Sequence, residues 1–297
     1  MNEKYKQNFL KAGSIAKEVR AFGKSLIKTG ASYNDVILQI NERITQLGAI
    51  PAFPPQIALD HVAAHYLPQP HEDIIFGSEV VKLDVGVCYN GAIGDCAVTI
   101  DLSGKNQGLI DAAEAALFAA EQIVKVGLEI RQIGKVIEET IISRGFKPIR
   151  NLAGHGLGLY RIHTPPNIPN YDDGSRGVIK PGMTFAIEPF ATSGKGMIYE
   201  GGIPAIFSFI TSSPVKLASS KRLLVKIKTF QGLPFAIHDL VGKDLSLSEV
   251  TEAISELLQR GVIAGYGPLI EEAHGLVAQA ENSVLVDQKG VVIVSTR

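Results

Sequence analysis

The sequence predicts a mixed α/β fold built on an internal pseudo-twofold repeat, with a helical block inserted toward its C-terminal end. Three observations carry that expectation. A shift of 97 residues lays one amphipathic helix over another, an Asn-Gly turn joins two apolar runs, and a helix-rich stretch interrupts the later strand pattern.

The repeat is the longest-range of these signals. The segment "IKTGASYNDVILQINERITQLGAIP" lies over "VKVGLEIRQIGKVIEETIISRGFKP" position by position. Lys28 falls on Lys125, Gly30 on Gly127, Ile40 on Ile137, Glu42 on Glu139, Gly48 on Gly145 and Pro51 on Pro148, while Val36 and Ile44 fall on Ile133 and Ile141. Each copy opens on a Gly turn, keeps a helical apolar stripe, and closes on Gly followed by Pro. Chance similarity between two amphipathic helices does not account for the shared punctuation. The first copy is expected to run from about residue 5 to 105, and the second to start near Gln107 with the Ala-rich "LIDAAEAALFAAEQIVKVG".

The first copy ends in "VVKLDVGVCYNGAIGDCAVTI". Asn90-Gly91 between alternating apolar residues predicts a two-residue type I′ hairpin turn, which puts Tyr89 opposite Ala92 and Gly86 opposite Asp95. Alternation then places Asp84, Gly86 and Asp95 on one face, with the two Asp as diagonal neighbours and Gly86 leaving space between them. Cys88 shares that face and Cys96 does not, so no bridge is expected between the two cysteines. Two ionised carboxylates converging in a sheet repel and lose hydration, unless a cation or a proton is shared. On the hairpin alone, solvent-facing Asp, a proton-sharing pair and Asp bonded to local backbone stand open beside a metal.

The second copy continues through strand-like "IRNLAGHGLGLYRIH", "TFAIEPFAT" and the terminal "SVLVDQKGVVIVSTR". From about Leu233 to Ala280 the chain reads helical, with Ser246 and Glu249 spaced as a capping box. The expected organisation is a main domain of residues 1–232 and 281–297 with residues 233–280 as an inserted, winged-helix-like subdomain.

Three further residues stand out in strand-forming sequence: His155 in "AGHGLG", Glu188 in "FAIEPF", and Glu281 in "VAQAENSVLV". Each alone reads as an ordinary structural residue. Together with Asp84 and Asp95 they make four carboxylates and one imidazole, a constellation suited to two metal ions.

Composition excludes less than the motifs suggest. At 45% hydrophobic, 20% charged and net charge −1, the chain offers no electrostatic argument for nucleic acid or an anionic membrane. No apolar run approaches the roughly 18 to 20 residues of a membrane span, and the N-terminus lacks a signal peptide's apolar region, so a cytoplasmic location is expected. Two thiols in this length indicate no disulfide framework.

These motifs, in this order and spacing, resemble the methionine aminopeptidases of the pita-bread metallopeptidase fold, family M24. "FPPQIALDHVAAHYLP", "KLDVGVCYNGAIGDCAVT", "GHGLGLYRIHTPPNIPN", "PGMTFAIEPFAT" and "VAQAENSVLV" carry the resemblance over nearly the whole chain. The 93-residue separation of Glu188 from Glu281 resembles the type II branch, which has a helical insertion there, and the short N-terminus resembles the archaeal form.

The resemblance implies two divalent transition-metal ions (Co, Mn, Fe or Zn), with Asp84 chelating one, Asp95 and Glu281 bridging, and His155 and Glu188 completing the second. It implies that a metal-activated hydroxide hydrolyses the first peptide bond of nascent chains and short peptides, releasing the initiator methionine. Glu188 would shuttle the proton, His163 would help stabilise the tetrahedral oxyanion, and His65 would position the scissile amide and free amine. Phe53, Ile162, His163 and Phe190 match the methionine pocket. A monomer with transient ribosome contact is the further expectation.

Four positions depart from the family pattern: Asn282 replaces His, Ala280 replaces Phe, Asp60 replaces Asn and Leu67 replaces Thr. Ala280 and Asn282 flank Glu281, which bears on the pocket floor and on the surroundings of that ligand. Asp60 would add negative charge near the substrate amine. Two other readings compete: a prolidase- or aminopeptidase P-like enzyme of the same fold, and a metal-free relative that binds ribosome or RNA. The first usually has an extra N-terminal domain; against the second stand the five ligands and the lack of a basic patch.

Overall fold

The computed structural model describes residues 1–297. Helices α1 (Glu3–Leu26) and α2 (Tyr33–Gln46) open the chain, followed by β1 (Ile50–Pro51), β2 (Gln56–Leu59), β3 (Val62–Ala64), β4 (Val80–Tyr89) and β5 (Ala92–Asp101). Then come α3 (Gln107–Ile123), α4 (Ile130–Ser143), β6 (Lys147–Pro148), β7 (Ala153–Gly158), β8 (Arg161–Pro169), β9 (Thr184–Ile187) and β10 (Phe190–Thr192). The pseudo-twofold repeat is explicit, because α2 and α4 each have 14 residues and both they and β1 and β6 keep the 97-residue offset at either end. Gly30 and Gly127 (φ +85° and +83°) and Gly48 and Gly145 (φ +76° and +83°) take the left-handed conformations that start and stop those helices.

Each helix pair buries its apolar stripe against its own sheet. Val19, Ile40 and Ile44 pack on Leu83 and Val85 in one core, while Ile133, Ile137 and Ala116 pack with Phe185 and Val284 in the other. Helix α1 lies so close to the hairpin that a Cβ on Gly94 would stand 2.6 Å from the Ala12 carbonyl. Asn90 (φ +49°) and Gly91 (φ +84°) form the expected turn, and β4 and β5 pair with Tyr89 opposite Ala92 and Gly86 opposite Asp95. Both cysteines are free and buried.

The chain ends with β11 (Ile198–Glu200), β12 (Ile206–Phe209), α5 (Ala218–Thr229), β13 (Phe235–Ala236), α6 (Ile237–Leu240), α7 (Leu247–Gln259), β14 (Ile263–Tyr266), β15 (Leu269–Glu271), β16 (Val277–Gln279), β17 (Asn282–Val286) and β18 (Val292–Val294). Every strand pairing is antiparallel, and the largest sheet has the order β18-β17-β9-β7-β8. No helix is long and apolar enough to cross a membrane.

The helical reading of 233–280 fits α6 and α7, whose Ser246 and Glu249 cap each other reciprocally. It does not fit the residues beyond α7. Gly261, Gly265, Gly267 and Pro268 break the helix, and residues 263–279 form three strands instead. Helix α5 precedes the block, yet it packs on α7 around Phe207, Leu223, Ile227, Leu240, Val250, Leu257 and Ile263. Beyond that cluster, β15 pairs with β3 and β11, and β16 with β10.

Candidate metal centre and substrate cavity

Asp84 projects from β4, Asp95 from β5 and His155 from β7, while Glu188 lies between β9 and β10 and Glu281 between β16 and β17. All five line one cavity of about 170 Å³, together with Phe53, His65, Ile162, His163 and Phe190. Local sequence explains their delivery. A Cβ on Gly154 would lie 2.3 Å from the Ala186 carbonyl oxygen, and one on Gly156 would lie 2.2 Å from that of Pro165, so His155 needs glycine on both sides to nest between β9 and β8. The Ser283 hydroxyl accepts from the Asp95 N–H and donates to the Asp95 carbonyl, both at 2.8 Å, locking β5 to β17. Asn170 donates to the Glu188 carbonyl at 3.3 Å.

The acidic set is tight. His155 Nε2 lies 3.4 Å from Glu188 Oε1 and 3.9 Å from Asp95 Oδ2, and Asp95, His155 and Glu281 each present a ligand atom within 4.8 Å of the others. Asp84 Oδ1 and Asp95 Oδ1 are buried with no hydrogen-bond partner. Burial pushes the Asp84 carboxyl up to about 7, against a lowering contact from Gln279. Burial, then the charge of Asp84, raises Asp95; burial, then the neighbouring carboxylates, raises Glu188 and Glu281. Burial, then His163, pushes His155 down to about 3, so its imidazole is neutral and free to ligate. Orphaned carboxylate oxygens around a neutral imidazole suit divalent metal, which would relieve the repulsion that otherwise protonates the site.

The remaining lining is neutral. His65 has φ +60°, and its ring meets the edge of Tyr266 at 6.0 Å between centroids. Burial, then His163, lowers His65 to about 4. The His163 ring stands 4.4 Å from that of His155. Phe53 and Ile162 belong to an apolar cluster with Leu157 and Cys88, and Phe190 to another with Ala63, Ala64 and Val277; the three side chains meet at the cavity.

Several residues lining the cavity or bordering its carboxylates had no distinct signal in the sequence. Gln279 Nε2 lies 3.4 Å from Glu188 Oε2 and 3.5 Å from Glu281 Oε2. Gln56 pairs across the sheet with Asp84. Ile206, Ser208, Pro234, Tyr266 and Leu269 complete the wall from the later part of the chain. Only Gln279 was within reach of the strand pattern, two residues before Glu281.

The four departures occupy different settings, and of them Asn282 reaches the surroundings of Glu281. Asp60 is outside the cavity lining, and its Oδ1 accepts the Val80 N–H at 2.9 Å. Ala280 packs into the core under α3 and α4 rather than forming the pocket floor, and Leu67 is buried in the first core. Asn282 engages partners behind β17: its Nδ2 donates to Glu121 at 2.7 Å, and its Oδ1 accepts from Arg20 at 3.0 Å and Thr296 at 2.9 Å. Arg20 also donates to the Glu281 carbonyl at 2.9 Å.

Comparison with known proteins identifies the family and the fold. The pattern of metallopeptidase family M24 matches residues 7–217. A methionine aminopeptidase of Thermococcus onnurineus is 38% identical, over 97% of this chain and 98% of that one. Among solved structures, a methionine aminopeptidase of Thermotoga maritima superposes with a TM-score of 0.72 at 22% identity, covering 100% of this chain and 98% of that one. A thermophilic Arx1 superposes with a TM-score of 0.85 at 14% identity, covering 99% and 91%. Identities this low show a shared fold alone, whereas the sequence matches reach further: the chain belongs to metallopeptidase family M24.

Proposed function

We propose that the chain is a methionyl aminopeptidase, hydrolysing the first peptide bond of nascent proteins and short peptides to release N-terminal methionine. The observation that carries this reading is the convergence of four carboxylates and His155 in a cavity that Phe53, Ile162 and Phe190 also line. Full-length relatives named methionine aminopeptidase support it.

In this reading Asp84, Asp95, His155, Glu188 and Glu281 would hold two divalent transition metals (Co, Mn, Fe or Zn). When bound, they supply a Lewis acid and a water of lowered pKa. Glu188, beside His155 on the cavity wall, would take a proton from the attacking water and pass it to the leaving amine. His163 donates to the oxygen that becomes negative in the tetrahedral species, and neutral His65 orients the amide and free amine. Phe53, Ile162 and Phe190 form an apolar slot for an unbranched thioether. The inserted subdomain of this reading, residues 233–280, would draw on the cluster in which α5 packs on α7. The reading extends to a cytoplasmic monomer of the type II, archaeal-like branch that meets free N-termini and contacts the ribosome transiently.

A peptide panel tests it. With divalent metal added, a Met-Ala-Ser peptide should release methionine faster than its Leu-, Ala- and Phe-first counterparts. Preferential cleavage of Xaa-Pro dipeptides would point to the prolidase-like enzyme, and no cleavage of any peptide by metal-loaded protein would favour a binding role.

A further inference from the structure

We propose that Gln56 is a positioning residue that fixes His65, an inference resting on the reading that His65 faces the substrate. Gln56 lies in β2, 6% exposed, directly opposite Asp84 in the β2–β4 ladder. Its Oε1 accepts the His65 backbone N–H at 2.7 Å. That bond falls where the chain departs from its sheet: β3 ends at Ala64, paired with Leu269 of β15, and His65 is the first residue beyond.

His65 needs such an anchor. A non-glycine residue at φ +60° persists only where its surroundings fix it. Tyr266 meets one side of the imidazole, and the Gln56 amide holds the backbone beneath it. Both Gln56 and His65 line the cavity. One side chain therefore ties the strand position of Asp84 to the residue that carries the substrate-facing imidazole. A shorter or apolar residue at 56 leaves the His65 N–H without its acceptor and the left-handed turn without its restraint, so the imidazole loses its set position while the acidic wall is untouched.

Two measurements test this. In metal-free protein labelled with 15N-histidine, signals of His65 are identified by their loss in His65→Ala. Gln56→Ala should shift or broaden the His65 amide signal and leave those of His155 and His163 in place, and Gln56→Glu, which keeps an acceptor oxygen at the same reach, should restore it. An unchanged His65 signal in Gln56→Ala, or equal disturbance of all three histidines, overturns the proposal. With metal loaded, Gln56→Ala should lower kcat/KM on Met-Ala-Ser by roughly tenfold to a hundredfold, and that loss should disappear in a His65→Ala background. Equal loss in both backgrounds overturns the proposal. If His65→Ala itself leaves kcat/KM unchanged, the substrate-facing reading of His65 fails, and the histidine signals alone decide whether Gln56 positions it.

Discussion

Gly86 stands directly opposite Asp95 in the hairpin, and the ring of Phe53 fills the place of its missing side chain: a Cβ there would lie 2.2 Å from Phe53 Cε1. The space above Gly86 therefore belongs to the apolar slot and does not separate the two carboxylates. One glycine seats the ring between strands that deliver Asp84 and Asp95.

Gly86→Ala tests this contact. The added methyl cannot be accommodated unless Phe53 leaves its position, so the expected cost is about 1–3 kcal/mol of stability, read from urea unfolding. KM for a methionyl peptide should rise more than kcat falls, because the slot is displaced while the carboxylates keep their register. A variant with wild-type stability and KM would show that Phe53 is not seated there.

Asn282→Ala probes the polar group behind β17. It removes a donor from Glu121, which also pairs with Arg297, and an acceptor from Arg20 and Thr296. Stability should fall by about 1–3 kcal/mol. Because Arg20 also holds the Glu281 carbonyl, metal affinity should weaken by roughly tenfold or more. Calorimetric metal titration showing unchanged affinity would confine Asn282 to a structural role.

Protonation gives a prediction for the metal-free chain. The Asp84 carboxyl is raised by burial from 3.8 to about 7. A carboxyl raised on folding contributes stability that is full below its unfolded value and is lost as pH rises through the folded one. Urea midpoints in chelator should therefore fall between pH 5 and 8 more steeply for wild type than for Asp84→Asn, and manganese at pH 8 should restore the wild type. Parallel slopes for the two proteins would contradict the assignment.

Glu188→Gln separates proton transfer from ligation. The amide retains a coordinating oxygen but cannot carry the proton, so kcat should drop by roughly a hundredfold or more. Metal-bound variant cleaving at the wild-type rate would remove Glu188 from that role.

Much of the fold and site was legible in the sequence, for physical reasons that differ by element. Asn90-Gly91 admits one turn type, and that turn determines which residues oppose Asp84 and Asp95. Gly and Pro punctuate both copies of the repeat because helix ends need them, so α2 and α4 could be placed from local pattern alone. The inserted cluster was less readable, since α5 precedes the helical block and joins α7 only through tertiary packing, while Ile263 and its neighbours sit between helix breakers. Gln56 and Tyr266 were hidden for a related reason: each is a single residue whose role depends on the tertiary position of His65, which local pattern does not give. Asn282 could be flagged as a departure, but strand alternation alone did not reveal the partners waiting behind β17.

Whether these five side chains hold metal is decided by the metal content of protein equilibrated with manganese or cobalt and then desalted. The wild type should retain two equivalents, and Asp95→Asn should retain neither in full, since on the proposed reading both ions would share Asp95. Wild type without bound metal, or Asp95→Asn that keeps both equivalents, would contradict the dinuclear site.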